Sequence, residues 1–148
     1  MSAFCSTGVA PHYAPDLRIE PVHRDISFHF DLSTRSASAT LKTRLISHSS
    51  GARTLKLDAV DLLDVEVSAG SDHTLRYRYD GRHLHITWDE GFADGEVREL
   101  CITYRVENPM TGMTFSWPDN RYPAQPRHVI TDNETERARH WLPCIDHP

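Results

Sequence analysis

Cysteine is scarce in this chain: Cys5, Cys101 and Cys144 are odd in number and lie far apart at irregular spacings. Neither a disulfide framework nor a Cys-x-x-Cys metal knuckle is indicated, so free thiols are expected. Long hydrophobic runs are missing too. Nothing approaches the ~20 consecutive apolar residues that cross a bilayer, and no membrane partner is expected. Positive charge is in deficit, with 16 Lys and Arg against 21 Asp and Glu and a net charge of −5. Nucleic acid requires a clustered basic face, so it is not an expected partner either. Residues 1–10 have neither the basic nor the apolar region of a secretory signal, and a cytoplasmic location is the expectation.

What is present is alternation. From Val22 to Val106 apolar and polar residues exchange with period two, the pattern of half-buried strands, and no long helical period interrupts it. Ile26, Phe28 and Phe30 share a face. After the turn residues 31–36 come Ala39, Leu41, Thr43 and Leu45, an expected antiparallel partner. Leu55 with Leu57, Val65 with Val67, and Leu100, Ile102, Tyr104 and Val106 mark further strands. Several short strands separated by turns predict an all-β fold, an antiparallel β-sandwich. At 148 residues the chain is one domain's length, long enough to bury roughly 70% of its unfolded surface. The expected division is a loose segment 1–15 followed by one domain, 16–148.

Asp80-Gly81 predicts a two-residue hairpin loop joining Tyr79 to Arg82. In that register Leu75 faces Ile86 and Tyr77 faces Leu84, while Arg76 faces His85 and Arg78 faces His83. Alternate strand residues point the same way, so His83 and His85 could share a metal. Two fixed cations opposite them would repel a divalent ion, and the pair is assigned to a solvated face. His140, Cys144 and His147 also carry metal-capable groups, but Pro143 breaks any shared helical face and no fourth ligand is evident. No metal site is assigned to the chain.

The last eighteen residues, Thr131 to Pro148, crowd charge, aromatics and two prolines into one stretch. Asp132 or Asn133 can cap a short helix over 134–140, with Glu134 and Glu136 at its start and Arg137, Arg139 and His140 at its end. Upstream, the prolines of 117–126 exclude regular helix and leave a shaped loop. Trp117 and Tyr122 in that loop are candidates for stacking on a carbohydrate. Arg139 and Asp146 are expected to form an ion pair that holds Trp141, Leu142, Pro143 and Cys144 against the sandwich. Trp141 is expected to pack and Cys144 to be a buried thiol without a nucleophilic role.

Glu134, Arg139, Trp141, Pro143, Cys144, Asp146 and Pro148 resemble, in order and spacing, a signature of the zinc aminopeptidases of the aminopeptidase N and leukotriene hydrolase family. There, a Thr-Gln-x-Glu turn leads through an Arg into Trp-Phe-Pro-Cys-x-Asp-x-Pro. Asp132 departs from the pattern, standing at the Gln position. Residues 23–31 resemble the family's first long strand, and 111–115 its Gly-Leu-x-Phe turn.

The resemblance implies a saddle-like N-terminal β-sandwich domain that precedes a thermolysin-like catalytic domain, so the chain reads as a fragment. It also implies that Glu134 anchors the α-amine of a peptide substrate, with Asp132 a second candidate for that contact. Zinc would be a cofactor of the full-length protein. It is not expected here, because no His-Glu dipeptide occurs and the His-Glu-x-x-His helix that holds it is therefore missing. This chain alone should be inactive. The alternative implied by the same resemblance is a non-catalytic interaction scaffold, as in transcription-initiation-factor subunits sharing the fold.

Overall fold

The computed structural model describes residues 14–70 and 73–147. Residues 1–13 of the expected loose segment therefore lie outside the described residues. The strands are β1 (Ile19–Asp31), β2 (Ser36–Ser47), β3 (Thr54–Asp58), β4 (Leu63–Ala69), β5 (His73–Thr74), β6 (Arg76–Tyr79), β7 (His83–Thr87), β8 (Val97–Glu107), β9 (Met113–Ser116) and β10 (His128–Thr131). All strand pairs among the described residues are antiparallel. A five-stranded sheet, β1-β2-β8-β4-β5, and a three-stranded sheet, β3-β7-β6, supply the two layers. A separate β9–β10 ribbon carries the chain into its terminal segment. The all-β sandwich expected from the sequence is the observed architecture.

Period-two burial explains the layers. Ala37, Ala39, Leu41, Thr43 and Leu45 of β2 point inward, as do Leu100, Ile102, Tyr104 and Val106 of β8. Direct cross-strand partners alternate in size, Ala39 against Tyr104 and Leu41 against Ile102. Small side chains on one strand leave room for large ones on the next. Leu55 and Leu57 of β3 and Leu84 and Ile86 of β7 close the core from the other sheet. Thr43, a polar member of an inward row, is satisfied because its hydroxyl donates to the His23 carbonyl at 2.7 Å. A β-bulge between Pro21 and His23 adjoins that contact.

One register differs from expectation. Tyr79 pairs with Leu84, Tyr77 with Ile86, Arg78 with His85 and Arg76 with Thr87. The two central loop residues are therefore Gly81 and Arg82, not Asp80 and Gly81. Only Gly81, at φ +84°, takes the left-handed conformation, as a loop with glycine at its first central position requires. The Asp80 carboxylate sets this choice by accepting the Arg82 and His83 amides at 2.9 and 2.7 Å. These bonds hold the carboxyl down at about 2. The shift moves each partner by two positions, so Leu84 and Ile86 still face the core.

The core makes a simple stability prediction. Replacing Ile102, fully buried at the sandwich centre, with Ala should cost about 2–5 kcal/mol in urea denaturation. Val97→Ala, on the same strand but more than half exposed, should stay within about 0.5 kcal/mol.

Candidate functional site

The terminal segment is sewn to the sandwich by backbone and side chain together. Asp58, at the end of β3, exchanges two backbone bonds with Cys144, at 2.7 and 3.0 Å. Its carboxylate also accepts the Asp146 amide at 3.1 Å. The Val60 amide donates to the Arg139 carbonyl, and the Tyr104 hydroxyl donates to the Trp141 carbonyl at 2.7 Å. Arg139 and Asp146 form the expected ion pair, Nε to Oδ2 at 3.0 Å. The Arg139 amide donates to the same oxygen, and its Nη2 donates to the Asp146 carbonyl. Burial works against the Arg139 charge, but Asp146, Asp58 and Glu136 outweigh it and hold the guanidinium above its ordinary range.

Packing follows the same plan. Trp141 lies against Phe28, with ring centroids 5.9 Å apart, and its indole N–H donates to the Asn133 side chain at 3.0 Å. Phe30 touches Phe115 of the ribbon. The aromatic face of β1 is thus partly covered by the terminal segment and the β9–β10 ribbon. Pro143 and Cys144 are buried, and burial pushes the Cys144 thiol up to about 12. A thiol so raised is not a nucleophile near neutrality, as the sequence reading expected.

The predicted α-helix over 134–140 is corrected. Residues 134–137 form turns, and only Ala138–His140 is helical, as a single 3-10 turn. Glu136 sits at φ +58°, a left-handed conformation that interrupts any helix running through it. Glu134 consequently stabilises no helix N-terminus. Its own amide is held by Asp132 Oδ1 at 3.1 Å, while Asp132 Oδ2 pairs with Arg137 at 2.7 Å. Both Asp132 oxygens are engaged within the turn.

The Glu134 side chain is exposed and makes no hydrogen bond or ion pair with any described residue. Its backbone is nevertheless fixed. The Asp132 amide donates to the Gly112 carbonyl at 2.9 Å, docking the turn on the entrance to β9. Gly112 has φ +79°, and a Cβ there would overlap the Arg137 carbonyl oxygen and lie 3.2 Å from the His140 Cβ. Sequence reasoning found Gly112, Arg139, Trp141 and Asp146. It missed Asp58, Tyr104 and Asn133, whose partners lie 88, 37 and 8 positions away and leave no local signal. In the Pro-rich loop Tyr122 is exposed, whereas Trp117 carries the Arg35 guanidinium 4.6 Å from its ring centre.

Residues 12–148 match the model of the peptidase M1 N-terminal domain. The chain belongs to that family. Among solved structures it is similar to leukotriene A4 hydrolase from Saccharomyces cerevisiae, with TM-score 0.67 and 19% identity over 89% of this chain and 22% of that one. An M1 zinc metallopeptidase from Deinococcus radiodurans gives TM-score 0.64 and 18% identity over 90% of this chain and 30% of that one. A two-domain M1 zinc metallopeptidase variant bound to L-tryptophan gives 0.65 and 15%, over 90% and 31%. This M1 domain thus spans less than a third of the relatives it resembles. No curated protein sequence matches it.

Gly112 supplies the prediction for this site. Gly112→Ala should destabilise by at least about 1–3 kcal/mol and change the near-UV signal of Trp141, because the turn can no longer dock. Gly81→Ala has a similar φ but open space around it, so it should leave that signal intact.

Proposed function

We propose that this domain walls the active-site cleft of a zinc aminopeptidase and that Glu134 anchors the free α-amine of the peptide substrate. The observation that carries the reading is a solvent-facing carboxylate without a partner among the described residues, on a turn whose backbone is held from both sides. A peptide's α-amine has a pKa of about 8 and is mostly protonated at neutral pH. A carboxylate one hydrogen bond away favours that cation and offers nothing comparable to an internal amide. The result is selection for the end of a peptide. Asp132 has both oxygens spent within the turn, so its part is to orient Glu134.

Bond scission is assigned to a catalytic domain encoded downstream. The catalytic zinc that the family implies does not fit this chain. No His-Glu-x-x-His exists here to place two imidazoles and a general base on one helix. What this chain contributes is recognition and position, not the hydrolytic step.

The test is Glu134→Gln in the protein carrying both this domain and its catalytic domain. With aminoacyl-anilide substrates kcat/KM should fall about 10- to 100-fold, corresponding to about 1.5–3 kcal/mol for a lost charge-assisted hydrogen bond, with thermal stability unchanged. Equal kcat/KM in the variant would remove the role of Glu134, and the lack of a His-Glu-x-x-His in the downstream coding sequence would favour the non-catalytic scaffold instead.

A further inference from the structure

The observed hairpin register weakens the argument against a metal at His83 and His85, because cations now lie opposite His85 alone. Arg76 lies opposite Thr87, not opposite a histidine, and its guanidinium pairs with Asp89 at 2.7 Å. His83 is flanked by carboxylates instead. Its Nδ1 is 3.7 Å from Asp80 Oδ2 across the loop, and its Nε2 is 3.7 Å from Asp58 Oδ1, the residue opposite it on β3. Two cations remain beside His85: Arg78 opposite it on β6 and Lys56 opposite it on β3. Arg78 is three-quarters exposed and can swing into water.

We propose that Asp80, His83 and His85 form a binding site for a divalent late first-row metal ion of the zinc or copper class. One ligand atom from each lies within 4.8 Å of the others, on side chains exposed or half-buried and open to solvent. His83 and His85 alternate on β7 and project from the same face, and the loop returns Asp80 beside them. The two Asp80 oxygens have different tasks. Oδ1 is committed to the Arg82 and His83 amides, which fixes the carboxylate, while Oδ2 lies 3.7 Å from His83 Nδ1 and 4.0 Å from the Arg78 guanidinium that a metal would displace.

The remaining ring nitrogen of His83 faces Asp58, the outer carboxylate that orients a metal-bound imidazole and raises its basicity. Two imidazoles and one carboxylate suit zinc or copper and not the oxygen-seeking magnesium ion. Binding requires side-chain rotations that bring the three atoms to the ~2.0–2.2 Å bond lengths of zinc, with water completing the shell. This inference is independent of the role proposed for Glu134.

The test is calorimetric titration of the 148-residue chain with zinc chloride at pH 7.5, and with magnesium chloride in parallel. Zinc should bind at one equivalent and magnesium should not. His83→Gln and His85→Gln should each weaken zinc at least about tenfold, and Asp58→Asn about 10-fold. Asp80→Asn keeps the loop-capping oxygen while removing the charge, so it should weaken zinc with the fold intact. With copper, electron paramagnetic resonance should report two imidazole nitrogens in the wild type and one in either histidine variant. Zinc affinity unchanged in the His83→Gln/His85→Gln double variant, or equally tight magnesium, would overturn the site.

Discussion

The arrangement rests on Asp58. Its backbone pairs with Cys144, its carboxylate receives the Asp146 amide, and Asp146 in turn holds Arg139 by main chain and side chain. A segment of turns has little packing of its own, and a 3-10 turn of three residues is not a stable unit in isolation. Tied to β3, it gains the rigidity of the core beneath it. The half-buried Arg139 charge is tolerable only because carboxylates and a carbonyl surround it. Without Asp58 and Asp146, the loop that carries Glu134 would have no fixed address.

From that anchorage the functional geometry follows. β1 offers Phe28 and Phe30 as a surface, Trp141 and Phe115 cover it, and the indole N–H reaches Asn133 beside Glu134. Gly112 lets the ribbon and the terminal turn approach more closely than any side chain permits. A backbone held beneath a solvent-facing carboxylate would lower the ordering cost of a recognition contact, leaving the Glu134 side chain alone to be fixed on binding.

Much of this was legible in the residues. The period-two runs of β2 and β8 specified two inward rows, and those rows are the core. The Arg139–Asp146 pair and the buried Cys144 followed from the terminal motif. The hairpin register did not, because Asp80-Gly81 suits two loop geometries. The choice between them is made by Asp80 Oδ1 capturing the Arg82 and His83 amides. The helix over 134–140 failed for a related reason: its capping and charge pattern was favourable, but Trp141 meets Tyr104 on β8 while Arg139 pairs with Asp146 further along the terminal segment, and Glu136 turns left-handed to let them. Asp58 was invisible to any local reading, since its role exists only once residues 88 positions apart meet.

If the terminal segment is part of the sandwich's cooperative unit, its backbone should open only when the core opens. Amide hydrogen exchange measures this directly. The account predicts that the Asp58, Val60, Cys144 and Asp146 amides exchange as slowly as those of Leu100 and Ile102 in β8. Exchange of the four at rates typical of free loops, with β8 still protected, would contradict it.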